Sequence, residues 1–301
     1  MKKRGLMIIL SVLLLSIVIG CGTKSPEVPA QQVPVESLTS EETRAFVHSL
    51  PNIRDAISST FGSLNIYFSD FMNEFNAKKV MIAPSEDTAE EIKRKASLVQ
   101  DTLDNINLIN TDFNQKKAGA NLRGSDANLA EDISDKLIVY QNNKAKFANC
   151  ADSMKKYARF IELTAEREDL IQQFTINMEK AGAEIEEENY EEAISIGKTA
   201  KSNVQRLKTI DLERSKMGIV SISSDVLMSW DLHVEAMDIL LSLWNDLKAD
   251  RMNDAMDKAQ EHYNTFSRAN KYGEKEPPVS DQANSANVWL SSNIGSCQKL
   301  V

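Results

Sequence analysis

The sequence predicts an all-α protein, an elongated antiparallel helical bundle with long heptad-patterned helices. Three observations carry the prediction. Beyond the first forty residues, apolar side chains recur at alternating spacings of three and four, the spacing of a helical seam. Residues 126–187 contain no proline and a single glycine, Gly182, so little in that stretch stops a helix. No convincing run of alternating apolar and polar residues, the mark of a half-buried strand, follows the N-terminal leader.

In chain order, the first seam is Ile57, Phe61, Leu64, Phe68, Phe71 and Phe75, with Pro51 near its start, as suits a first helical turn. Ala83-Pro84-Ser85 breaks it. A second helix runs from about Asp87 through Ile92, Ala96, Val99, Leu103, Ile106, Asn110 and Phe113. Asn110 occupies a seam position, where a polar residue can fix register at some cost in stability. Residues 119–125 form a loop with Gly119 and Gly124. The third seam, Leu129 to Ile161, resumes as Leu170, Phe174, Met178, Ala181 and Ile185 after a phase change near Thr164. One long or gently kinked helix of about 60 residues, roughly 90 Å at 1.5 Å per residue, is the preferred reading; a bend at Thr164 is the alternative.

The C-terminal half reads as a duplicated helical hairpin. Leu170, Phe174, Met178, Ala181 and Ile185 match Leu232, Ala236, Leu240, Leu243 and Leu247 at a constant offset of 62, and Tyr190, Ala193, Ile194, Val204 and Arg206 match Met252, Ala255, Met256, Phe266 and Arg268 at the same offset. Two such hairpins can bury a four-helix core. Chance alignment of two heptad patterns is the competing explanation. The segment Asn189-Tyr190-Glu191-Glu192-Ala193-Ile194 resembles the turn of a tetratricopeptide repeat, with Gly197 at that family's small position. The family's period is 34, however, and its aromatic position falls on Glu184, so no peptide-binding residues follow from it. Pro277-Pro278 ends the bundle, and a short closing helix over about 281–294 buries Trp289.

The N-terminus specifies an address. Lys2, Lys3 and Arg4 precede an apolar run from Leu6 to Ile19 that is short for a membrane span, which together read as a secretory signal. The last residues before the cysteine, Val18, Ile19 and Gly20, followed by Cys21, resemble the lipobox of prokaryotic lipoproteins. That resemblance implies cleavage before Cys21, a diacylglycerol thioether on Cys21 and attachment to the extracytoplasmic side of a membrane; two acyl chains suffice for stable anchoring. Residues 22–40, with Pro26, Pro29 and Pro34, form a linker that reaches roughly 60 Å if extended. The resulting layout is a signal peptide over 1–20, a lipidated linker over 21–40, a three-helix region over 41–160, a four-helix region over 161–273 and a tail over 274–301.

Charge and chemistry exclude several functions. The chain carries 35 basic and 44 acidic residues; without Lys2, Lys3 and Arg4 the body has 32 against 44, a net charge of −12, which disfavours nucleic acid as a partner. Beyond Cys21 there are two cysteines, Cys150 and Cys297, which outside the cytoplasm either form a disulfide that staples the tail to the bundle or remain unrelated thiols. The sequence lacks a phosphate-binding glycine loop, a nucleophile elbow, HExxH and CxxC. His233 and His262 fall on adjacent helices and read as half-buried side chains rather than a shared metal site. The glutamates of 184–192 read as a solvated helix tip rather than a calcium loop. Trp230, Met237 and Trp244 share one helix, where they either pack in the core or line an apolar pocket. The sequence therefore points to a non-enzymatic envelope lipoprotein without cofactor, metal or catalytic residues, joined to the membrane through Cys21 and to an envelope protein partner. A ligand-binding or sensor-like bundle is the alternative.

Overall fold

Thr39 and Glu42 fix where the first helix begins. The Thr39 hydroxyl accepts the Glu42 N–H at 3.2 Å, and the Glu42 carboxylate accepts the Thr39 N–H at 2.8 Å, a reciprocal cap. The hydrogen bonds from Thr39 hold the Glu42 carboxyl below its ordinary range. From this cap runs α1 (Ser40–Glu74), followed by α2 (Ala77–Val80), α3 (Glu86–Gly119), α4 (Gly124–Glu186), α5 (Tyr190–Met217), α6 (Ser224–Lys248), α7 (Met252–Gly273), α8 (Val279–Asn293) and a 3-10 turn (Cys297–Lys299). The computed structural model describes residues 37–299, and among these every regular element is helical. The lipobox residues Val18, Ile19, Gly20 and Cys21 lie outside the described residues. No described helix is long and apolar enough to cross a membrane.

Pro51 lies eleven residues inside α1 rather than in its first turn. Phe46 and Leu50 are buried, so burial extends the helix upstream of the proline, whose ring faces solvent. The first core gathers α1, α3 and the N-terminal half of α4. Ile57, Leu64, Phe68 and Phe71 meet Ile92, Val99 and Ile106 and the face of Ile133, Tyr140, Phe147 and Met154. Asn110 sits on the half-buried edge of that seam, where its side chain accepts hydrogen bonds from Asn114 and Gln141.

Two distant segments complete this core. Ile219 and Val220, from the loop between α5 and α6, are buried in it, as are Ala283, Ala286, Leu290 and Ile294 of the C-terminal segment. The closing helix is thus part of the first core rather than a separate tail, because its small and aliphatic residues fill the groove beside α2. Asn287 fastens it there: its side chain accepts the Ala77 N–H at 2.8 Å and donates to Asn76 at 3.3 Å. Trp289 is only half-buried, under the ammonium of Lys156 at 5.7 Å. Cys150 on α4 and Cys297 in the last turn are paired as a disulfide.

The helix α4 is unbroken over 63 residues, about 95 Å. The phase change near Thr164 marks a change of partners: upstream it faces α1 and α3, downstream α5. The second core comprises side chains of α4, α5 and α6 only, among them Ala181, Ala193, Ala200, Val204, Met237, Leu241 and Trp244. The four-helix core that two hairpins can bury is here a three-helix core, to which α7 adds no side chain. The helices α4, α5, α6 and α7 pack each on the next, and α7 rests on α6 alone as the last layer of an open array.

The two hairpin turns are equivalent at the offset of 62. The helices end at Glu186 and Lys248 and restart at Tyr190 and Met252. Glu188 and Asp250 both take left-handed backbone, with φ of 61° and 55°. The Asn189 N–H donates to the Glu184 carbonyl at 2.8 Å, and the Arg251 N–H to the Asp246 carbonyl at 2.9 Å; the Glu188 and Asp250 N–H groups donate to Ile185 and Leu247 at 3.1 and 3.0 Å. These are two copies of one C-terminal capping motif.

Candidate functional site

The array leaves a cleft of about 660 Å³ between the second half of α4 and the last helices, walled by Phe174 and Ile171 of α4, Val204 and Leu207 of α5, Trp230 and His233 of α6 and Gly273 of α7. The cleft exists because α7 bears on α6 and not on α4. Gly273 lets the end of α7 close on the start of α6: a Cβ there would stand 3.1 Å from the Ser229 hydroxyl.

A buried polar network forms the floor. Asp211 of α5 is fully buried and accepts from three donors: Arg167 Nε at 3.2 Å, an Arg214 terminal nitrogen at 2.7 Å and Trp230 Nε1 at 2.7 Å. Arg167 also donates to Glu276 at 2.7 Å, and Arg214 to the Gln282 side-chain oxygen at 3.0 Å, while Gln282 donates onward to Glu276 and to the Pro277 carbonyl. Two guanidinium groups and two carboxylates thus balance, as buried charges require. Burial works against the charge on Arg167, but Asp211 and Glu276 outweigh it and hold the group above its ordinary value. In Arg214 burial prevails and lowers it. The guanidinium planes lie near aromatic rings, Arg167 at 5.8 Å from Trp230 and Arg214 at 5.2 Å from Phe160.

The apolar seams of the sequence do not announce this buried polar network. The network draws on α4, α5, α6, α8 and the segment before α8, and its partners lie 44, 68 and 109 residues apart. One signal was present. Ala193, Gly197, Ala200, Val204, Leu207, Asp211 and Arg214 run at spacings of four and three, so two charged residues stand in phase with an apolar seam.

Of the proposed apolar pocket, only Trp230 lines the cleft. Met237 and Trp244 lie in the second core, 3% and 5% exposed. Both tryptophans of α6 face α5: Trp230 is drawn to Asp211, and Trp244 lies on Gly197, where a Cβ would stand 2.5 Å from its ring. His233 lies in the cleft wall between Trp230 and Phe266, at ring separations of 5.6 and 5.4 Å, with its Nδ1 2.8 Å from the Ser229 carbonyl. Burial lowers its pKa, and likewise that of His262, whose ring stacks near Phe266 at 5.8 Å. Phe266 thus contacts both imidazoles. At the glutamate tip, Lys248 pairs with Glu191 at 2.6 Å and lowers its pKa, and Asn189 donates to Glu184. Among the described residues no group of three or more His, Cys, Asp or Glu side chains is placed to hold a metal ion.

A second feature lies on the outside of the array. The helix α7 buries only Ala255, Thr265 and Ala269, and its other apolar side chains face solvent: Met252 is 57% exposed, Met256 67% and Tyr263 68%. These large groups, with Phe266, form an apolar stripe on one face of the helix. No family model, curated protein or solved structure matches the chain.

Proposed function

We propose that this protein is a lipid-anchored, extracytoplasmic interaction module of the cell envelope, with no catalytic role, whose helical array presents α7 to a protein partner. The observation that carries this reading is the solvent-facing Met252, Met256 and Tyr263 stripe on the last helix of an open array. Amphipathic helix faces dock by such anchors at helical spacing. The leader supports the address, with Cys21 as the lipid-bearing residue and Val18, Ile19 and Gly20 as the cleavage signal. The Leu38 N–H bonds to the Gly119 carbonyl, so the tether joins the body beside the start of α4, and the hairpin turns stand at its other end. The test is photo-cross-linking in intact cells with the reactive group at Met256 of the full-length protein. A covalent protein adduct that is lost in Cys21→Ser, together with membrane fractionation, is the expected result. No adduct at Met256, with Cys21→Ser still in the membrane fraction, sinks the reading.

The cleft favours a second reading, binding of a small apolar ligand against Trp230 and Phe174. A ligand there changes Trp230 fluorescence, and the change vanishes in Trp230→Phe. Fluorescence that stays flat across a library of apolar and amphipathic compounds counts against this reading.

A further inference from the structure

The equivalence of the two hairpins exposes an unfilled position. At the offset of 62, Ile194, Gly197, Lys201 and Val204 of α5 correspond to Met256, Ala259, Tyr263 and Phe266 of α7. On α5 this face receives α6: Gly197 lies against Trp244 and Leu241, Lys201 pairs with Asp238, and Ile194 and Val204 belong to the second core. On α7 the corresponding face receives no helix among the described residues. The array ends on the very surface that, one unit earlier, takes the next helix.

We propose that a second copy of this chain covers that face, as an antiparallel pair of α7 helices about a two-fold axis at Ala259. The proposal rests on the reading of α7 as the interaction surface and names the partner. Three features of α7 favour a copy over an unrelated helix. First, the seam is nearly palindromic. With Ala259 on the axis, Met256 of one copy lies opposite Tyr263 of the other, and Met252 opposite Phe266, so the small residue falls at the crossing and large ones interlock on both sides. An isologous contact requires this self-complementarity. Second, the positions flanking the seam on its solvent side, Asn253, Gln260 and Ser267, are uncharged in a chain of which 26% is charged, so pairing buries no unmatched charge. Third, charge sets the direction. The antiparallel arrangement brings Lys271 to the Asp250 turn of the other copy, whose own cations Lys248 and Arg251 are already paired with Glu191 and Asp246. A parallel pair would instead bring Lys271 level with Lys271 and the Asp250 turn level with the Asp250 turn. The seam from Met252 to Phe266 is about 21 Å long, which places the contact among small, reversible interfaces. Attachment of both copies to one membrane would raise their effective concentration.

The test uses full-length lipidated protein in lipid vesicles and engineered cysteines. Ala259→Cys places two thiols across the axis and is expected to form a disulfide-linked dimer about tenfold or more faster than Asp101→Cys, an exposed site on α3. Adding Met256→Asp, at an exposed position, should abolish that excess. Lys271→Cys should not cross-link to itself but should do so with Asp250→Cys when the two proteins share a vesicle. Equal rates for Ala259→Cys and Asp101→Cys overturn the proposal, as does efficient Lys271→Cys self-cross-linking, which would mean a parallel pair. If Ala259→Cys fails while the photo-cross-linker at Met256 captures a different protein, the second copy is excluded and the interaction surface stands. If both fail, neither survives.

Discussion

At the scale of single residues, Asp211 holds most of the weight. It is the one carboxylate shared by Arg167, Arg214 and the Trp230 indole, so its loss leaves two buried guanidinium groups short of charge. Asp211→Ala is expected to destabilise the protein by about 3–5 kcal/mol, read as a fall in the urea midpoint, whereas substitution of an exposed aspartate such as Asp101 should move it little. Gly197 makes the second residue-scale prediction. Alanine there gains about 1 kcal/mol of helix propensity, but its Cβ would meet the buried Trp244 ring and Leu241 at 2.5 and 2.8 Å. Overpacking, at about 1–3 kcal/mol, wins, and Gly197→Ala should melt at a lower temperature than the parent, contrary to what an isolated helix would do. The sequence shows Gly197 only as a small residue in a helical pattern. Its reason lies in Trp244, 47 positions away, and no local rule connects them.

At the scale of elements, helix number and length follow from the spacing of apolar residues, because a seam declares its own period. The bounds are harder where packing overrides a local signal. Pro51 suggests a helix start, yet Phe46 and Leu50 bury upstream of it; the phase change at Thr164 suggests a bend, yet it records only a new neighbour, and Thr164 returns its hydroxyl to the Phe160 carbonyl at 2.7 Å within a continuous helix. The offset of 62 is visible in the sequence and recurs in the capping hydrogen bonds of the two turns. Which face of α7 lacks a partner is not visible, since exposed and buried seams are spelled alike. The turns supply an element-scale prediction. Glu188 holds left-handed backbone with φ of 61°, a conformation that costs a side chain about 1 kcal/mol or more. Glu188→Gly relieves it, and after the larger backbone entropy of glycine in the unfolded chain a gain of about 0.5–1 kcal/mol remains. A calorimetric melting point higher by about 1–3 °C is the expected reading.

At the scale of the whole molecule, the parts are tied across long stretches of chain. Cys150 and Cys297 are separated by 147 positions. Joining positions so far apart restricts the unfolded chain, by about 4–5 kcal/mol in the chain-entropy account. Non-reducing peptide mapping should recover the two cysteines in one linked species, and Cys150→Ser should lower the denaturant midpoint to about the level that reductant produces in the parent. Free thiols at both positions would contradict this. The long α4 belongs to both cores, the loop carrying Ile219 and Val220 returns from the second to complete the first, and Leu290 and Ile294 do so again from the chain end.

That interlacing has a consequence for how the chain can be divided. A cut at residue 160, where the heptad phase invites one, removes Ile219, Val220, Leu290, Ile294 and Cys297 from the core they fill and strands the N-terminal helices with an open groove. Residues 37–160 expressed alone are expected to melt without a cooperative transition, as followed by circular dichroism, while the full chain melts in one. The molecule has two hydrophobic centres but no seam along which it can be opened, and evolution or engineering can vary its far end only while the last few residues still return to close the beginning.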